Sequence, residues 1–213
     1  MDQKLSRKLV HMLAGPGFAL CWPLFSMEPH ARFCAALVPS LNVVRLLLLG
    51  FGVVKDEGTV KSMSRSGDRL ELLRGPLYYV LVLIAGTLVF WRESPVGLVA
   101  ISLMCGGDGL ADIVGRRWGD AARLPWNRAK SWPGSAAMFL GGTAMALGSM
   151  AYFSALGFFD CDLVSAAGSV ATIAAAATLM ESLPLNRWLD DNLSVPGTAA
   201  VLGTLLVNAL ILA

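Results

Sequence analysis

The chain has 213 residues, of which 55% are hydrophobic and 15% charged, with a net charge of +2 and a mean hydropathy of +0.62. Soluble domains carry roughly 25% charged residues, so this composition excludes an ordinary water-soluble enzyme, and no nucleic-acid partner is expected. The four cysteines, Cys21, Cys34, Cys105 and Cys161, have no CxxC spacing and read as small buried hydrophobes, not zinc ligands.

Apolar runs lie near 9–26, 33–54, 75–91, 95–115, 135–158, 163–181 and 195–213. About 20 mostly apolar residues let a helix cross a bilayer. The pattern predicts an all-α, multi-pass integral membrane helical bundle of about six to seven transmembrane helices, forming one polytopic domain over 1–213. The start, Met-Asp-Gln-Lys, lacks the features of a cleavable leader, so the chain either inserts through its own spans or lacks its natural leader. Arg7, Lys8 and His11 put a basic face at the head of the first run, for phosphate binding or as snorkelling cations. Arg45, inside the second run with Asn42 nearby, needs an acidic or aqueous partner. The mixed-charge loop 55–74 reads equally as a lid or a solvated connector.

Taken as seven spans, the chain sorts its cations by side. Fourteen of the 17 Lys and Arg fall at the N-terminus and in the loops after the second, fourth and sixth runs. Only Arg32 and Arg92 fall on the other side, and Arg45 lies within a span. That bias faces the first side to the cytosol or its organellar equivalent. The polar motifs gather on the same side.

The densest motif is 105–135, CGGDGLADIVGRRWGDAARLPWNRAKSWPGS. Asp108 and Asp112, one helical turn apart on one face, are candidates to share a magnesium ion, or for one to hold metal while the other takes a proton from an alcohol. The bland alternative pairs them with Arg116 or Arg117. Arg116, Arg117, Arg123, Arg128 and Lys130 form a cationic cluster suited to phosphates or to anionic lipid. Ser131 or Ser135 is placed to cap the following helix, and Gly134 leaves room for phosphate at its first amides. The GxxxxGK[ST] pattern is absent. Farther on, ESLPLNRWLDDNLSVP (181–196) carries Glu181, Asp190, Asp191 and Asn192, either metal or ribose ligands or helix caps.

Several blocks occur in a characteristic order: SRKLVHMLAG (6–15), R-x-G…ELLRGPLYY (65–79), FWRESPVG (90–97), CGGDGLADIVGRRWG (105–119), LPWNRAKSWPGS (124–135) and ESLP…LDDNLSVP (181–196). On these the chain resembles the polyprenol kinase family, most closely its plant and algal phytol kinases and their farnesol kinase relatives. Pro133 departs slightly from the family's KSWAGS form. The resemblance implies a multi-spanning plastid (chloroplast) membrane enzyme. It would use CTP and Mg2+ to phosphorylate the hydroxyl of phytol, or of geranylgeraniol or farnesol, giving CDP and a lipid monophosphate that feeds tocopherol biosynthesis. It implies that Asp108, Asp112, Lys130 and Asp191 fall in the blocks forming the nucleotide and metal site. The expected division of labour is Asp108 and Asp112 for metal and catalysis, with Arg116, Arg117, Lys130, Ser131, Gly134, Asp191 and Asn192 for the nucleotide. Two alternatives carry different tests. A CTP:phosphatidate cytidylyltransferase shares a similar K-[ST]-W-x-G element but needs a downstream Asp-Arg-x-Asp that is absent here. A small carrier with intramembrane acids needs no nucleotide.

Overall fold

The computed structural model describes residues 3–64, 66–184 and 189–211, with side chains described for 8–64, 66–184 and 189–206. The side chains of Lys4 and Arg7, and all of Arg65 and Arg187, lie outside the described residues. Helix follows the apolar runs: α1 (Gln3–Leu20), α2 (Ala31–Gly50), a short α3 (Glu57–Met63), α4 (Gly75–Phe90), α5 (Pro95–Ser102), α6 (Asp108–Trp118), α7 (Trp132–Ala155), α8 (Leu163–Ser182) and α9 (Asp191–Ile211). The described residues contain no strand, only an isolated antiparallel bridge between Arg123 and Ser131. Five segments among them are long and apolar enough to cross a membrane: Ala31–Gly50, Arg69–Phe90, Pro95–Trp118, Trp132–Ala155 and Leu163–Ser182.

Local chemistry sets the boundaries. Asp162 caps α8 by accepting from the amides of Val164 and Ser165, and Asp56 caps α3 by accepting from Thr59. Pro133 occupies the first turn of α7, where a missing N–H costs nothing. Pro184, just beyond α8, offers no N–H to extend it.

The segment Pro95–Trp118 is the axis of the bundle: 78% of its most apolar window is buried, against 28–33% in the other four. All eight residues of α5 are buried, with α4, α7 and α9 packed around it and α8 filling the far side between α7 and α9. The outer faces are apolar and open, as at Leu41 and Val201, which suits contact with lipid tails. This explains one departure from expectation. Cys105 is buried, but Cys21 and Cys34 are exposed and Cys161 is intermediate. In a lipid-facing bundle an apolar residue need not be internal.

A second departure concerns the axis itself. The expected single helix ending near Gly115 is interrupted by a π-turn at Leu103–Gly107 and then runs on to Trp118. A π-turn holds one surplus residue and turns everything after it to a new face; such turns recur at functional sites. Here the residue that follows is Asp108.

The partner of Arg45 is now visible: its guanidinium reaches Asp56 at 3.1 Å and Thr59 at 2.8 Å. Both partners stand at the head of α3, so the loop 55–74 is a folded connector tied back to α2. Its second half forms a 3-10 turn, Arg69–Leu73. At the opposite end of the bundle Trp22, Trp91 and Phe153 pack edge to face and tilted around the fully buried Arg92.

Candidate active site

A cleft of about 320 Å³ opens where the head of α1, the length of α6, the loop 119–131, the head of α7, the foot of α8 and the head of α9 meet. Asp108, first residue of α6, anchors one wall. Its carboxylate accepts from Lys8 Nζ at 3.0 Å, and His11 Nε2 lies 3.8 Å away. Both come from α1, whose inward stripe runs Lys8, His11, Gly15 and Ala19 at helical spacing. Gly15 makes that approach feasible, because a Cβ there would overlap the Cys105 sulfur and the Tyr79 hydroxyl. Tyr79 then fixes the turn by donating to the His11 carbonyl at 2.9 Å, with the two rings 4.3 Å apart.

The other wall is built around Lys130. Its ammonium donates to Glu181 and, at 3.1 Å, to Asp191. Burial alone would push this amine down, but the Glu181 and Asp191 carboxylates outweigh it and hold Lys130 above the ordinary lysine range. It therefore stays charged across neutral pH.

Between the walls, one oxygen each of Asp108, Glu181 and Asp191 falls within 4.8 Å of the others. Magnesium takes hard oxygen ligands at 2.0–2.1 Å, commonly one or two carboxylates with water and substrate phosphates completing the octahedron. Three convergent carboxylates beside a water-reachable cleft fit that demand after small side-chain movements.

The expected site residues separate into two groups. Asp108, Lys130, Ser131, Gly134 and Asp191 all line the cleft. Ser131 caps α7 by accepting from the Gly134 amide at 3.3 Å. A Cβ on Gly134 would sit 3.0 Å from the Ala111 carbonyl and 3.4 Å from the Gly115 Cα, so glycine lets α7 close on α6 along the cleft floor. Asp112 and Arg116 also line the cleft, but they pair with each other at 2.9 Å. The carboxylates that converge with Asp108 are therefore Glu181 and Asp191, while Asp112 stands one turn farther along the same helix beside Arg116.

Two expected nucleotide contacts are not among the residues lining the cleft. Arg117 is exposed, stacks over the Trp118 ring at 5.3 Å and is not among the cleft residues. One residue on from Arg116 is about 100° around the helix. Asn192 turns to Asp190, donating its amide to that carboxylate at 2.8 Å, and so belongs to the cap of α9. Two residues gain importance. Glu181, 3% exposed at the end of an apolar run, was read only as metal ligand, ribose ligand or cap among its neighbours. Lys8, read as a phosphate contact or snorkelling cation, holds Asp108.

No family profile matches the chain, and no solved structure does. Curated relatives do. A protein of Zea mays named probable phytol kinase, chloroplastic, is 52% identical over 209 residues, covering 98% of this chain and 69% of its own length. The probable phytol kinase 1, chloroplastic, of Glycine max is 52% identical over 196 residues, 92% of this chain and 65% of its own. The farnesol kinase, chloroplastic, of Arabidopsis thaliana is 49% identical over 205 residues, 96% of this chain and 66% of its own. The chain thus spans about two thirds of the length of these relatives. Identity of about half over more than nine tenths of the chain leaves one conclusion: the chain belongs to the family of the phytol and farnesol kinases.

Proposed function

We propose that this chain is a CTP-dependent phytol kinase of a plastid membrane, converting phytol, or a related isoprenoid alcohol, to its monophosphate with release of CDP and so feeding tocopherol synthesis. The observation that carries this reading is the meeting of three carboxylates and two lysines at the aqueous end of a lipid-embedded axis. An alcohol with a long apolar tail approaches such a site from between the helices, while a charged nucleotide approaches from water.

In this reading Asp108, Glu181 and Asp191 would hold Mg2+, which would supply charge neutralisation at the triphosphate. Lys130 and Arg116 turn from their carboxylates to the triphosphate. Asp112, on the cleft wall, accepts the hydroxyl proton. The alcohol oxygen forms its bond to the γ-phosphorus as the bond from that phosphorus to the β,γ-bridging oxygen breaks, and the electron pair leaves with CDP. Phosphoryl transfer of this kind depends mainly on positioning and charge stabilisation.

The test supplies membranes containing the full chain with γ-labelled CTP, Mg2+ and phytol, farnesol or geranylgeraniol in parallel. Label in a lipid monophosphate with equimolar CDP is the expected result. Pyrophosphate release on phosphatidate instead would indicate cytidylyl transfer.

A further inference from the structure

The loop 119–131 is more ordered than its sequence suggests. It folds back as a narrow hairpin. The Leu124 amide donates to the Lys130 carbonyl at 3.0 Å, and the Trp132 amide to the Ala122 carbonyl at 2.9 Å. Leu124 is buried at its base. The tip, Trp126-Asn127, does not hang in water. It docks on the foot of α8, where Pro184 stops the helix and leaves carbonyls without helical donors.

Asn127 makes the dock directional. Its Nδ2 donates to the carbonyls of Ser182 at 3.1 Å and Leu183 at 3.3 Å. Its Oδ1 accepts from the Ala129 amide at 3.2 Å, closing the turn that leads to Lys130. Only a carboxamide does both tasks at once. Trp126 Nε1 adds a third donor, 3.2 Å from the Ser182 carbonyl, and its ring stands edge-on to Trp132 at 5.6 Å. Ser182 is the immediate neighbour of Glu181. The clasp therefore ties the hairpin that carries Lys130 to the same turn of α8 that carries Glu181.

We infer that Asn127, assisted by Trp126, is a positioning residue that sets Lys130 against Glu181 and Asp191 and thereby sets the affinity for the phosphate donor. The last clause rests on the proposed role of Lys130 at the triphosphate; the clasp itself does not.

The experiment compares the full-length wild type with Asn127→Leu, which keeps the size and removes the polar atoms. One measurement is the KM for CTP and for phytol. The other is the rate at which an amine-reactive acylating probe labels Lys130, read by peptide mass spectrometry beside Lys8 as internal control. In Asn127→Leu, Lys130 labels about tenfold faster with Lys8 unchanged, and the KM for CTP rises about tenfold while that for phytol stays within about twofold. That is the lower end of the scale for losing three neutral hydrogen bonds. Trp126→Phe, which removes a single N–H at a half-exposed position, gives the same pattern at about threefold and covers the case in which the Asn127 variant does not fold. Unchanged Lys130 labelling overturns the clasp. So does equal acceleration of Lys130 and Lys8, which would mean general loosening. Selective labelling with an unmoved KM overturns the role in donor affinity. A wild type that turns over no CTP defeats the kinase reading, while the labelling ratio still decides the clasp.

Discussion

Two cations, Arg92 fully buried and Lys130 half-buried, mark the two ends of this bundle, and they are held in different ways. Arg92, with 0% of its side chain exposed, donates to the carbonyls of Trp22 at 3.1 Å, Phe25 at 2.8 Å and Ser26 at 2.6 Å and lies over the rings of Trp91 and Phe158, with the exposed Glu93 carboxylate farther off at 3.6 Å from its Nε. Lys130 donates instead to the carboxylates of Glu181 and Asp191. Backbone carbonyls and rings hold a cation in place and have nothing to exchange it for. Carboxylates accept another cation equally well, and a lysine released from them still carries a charge for a phosphate. The first arrangement ties one loop to another; the second is a set of charges that a metal and a nucleotide can repartition.

The comparison breaks first at Asp108. Asp108→Asn should lower kcat by about a thousandfold, the upper range for removing a charge-stabilising group, with membrane insertion unchanged on alkaline extraction; near-normal turnover would remove it from the metal site. Glu181→Gln should lower activity by about a hundredfold and raise the Mg2+ concentration needed for half-maximal rate. A normal Mg2+ requirement would leave Glu181 as only the partner of Lys130. Lys130→Ala should raise the KM for CTP by more than about tenfold while leaving that for phytol alone, since a charge-assisted phosphate contact is lost; an unmoved KM would deny that contact.

Arg92→Leu sharpens the other side. It leaves three carbonyls without their donor, a loss of about 1–3 kcal/mol for each group stranded from water. Thermal unfolding in detergent should drop, while the folded fraction keeps the wild-type KM for both substrates. A shifted KM at unchanged unfolding temperature would mean that the two ends communicate. The smallest effect belongs to Arg117→Ala. It should leave the KM for CTP within about twofold, because a surface cation over an exposed ring contributes only about 0.5–1 kcal/mol, and none of it at the cleft.

The architecture was legible because bilayer thickness writes itself into the length of apolar runs, and the gathering of Lys8, Arg116, Arg123 and Lys130 at one cleft agrees with the charge bias read along the chain. Lys130 was legible as one of a cationic cluster, Asp191 as a metal or ribose ligand or a helix cap, and Asp108 as a costly charge beside a membrane. Glu181 carried the same signal, an acid closing an apolar run, but its neighbours offered capping as an equal reading, and its meeting with Lys130 spans 51 positions. Asp112 stayed open between two readings for a local reason. It stands one turn from Asp108 and one turn from Arg116, and spacing alone does not choose between them. The π-turn had no signature to read beyond Gly106 and Gly107. The clasp of Asn127 on α8 joins residues 55 and 56 apart through backbone carbonyls, which every residue possesses and which no motif records.

The π-turn before Asp108 also changes what kind of sequence change this protein tolerates. Along most of a lipid-facing helix, exchanging one apolar residue for another is a small event. At Leu103–Gly107 the quantity that matters is the number of residues rather than their identity. Adding one more, with no second wide turn to absorb it, would swing the segment Asp108–Trp118 by about 100°. Asp108 would leave Lys8, and Arg116 would leave the cleft, with no side chain altered. Length, in these five positions, is a heritable character of the active site in its own right.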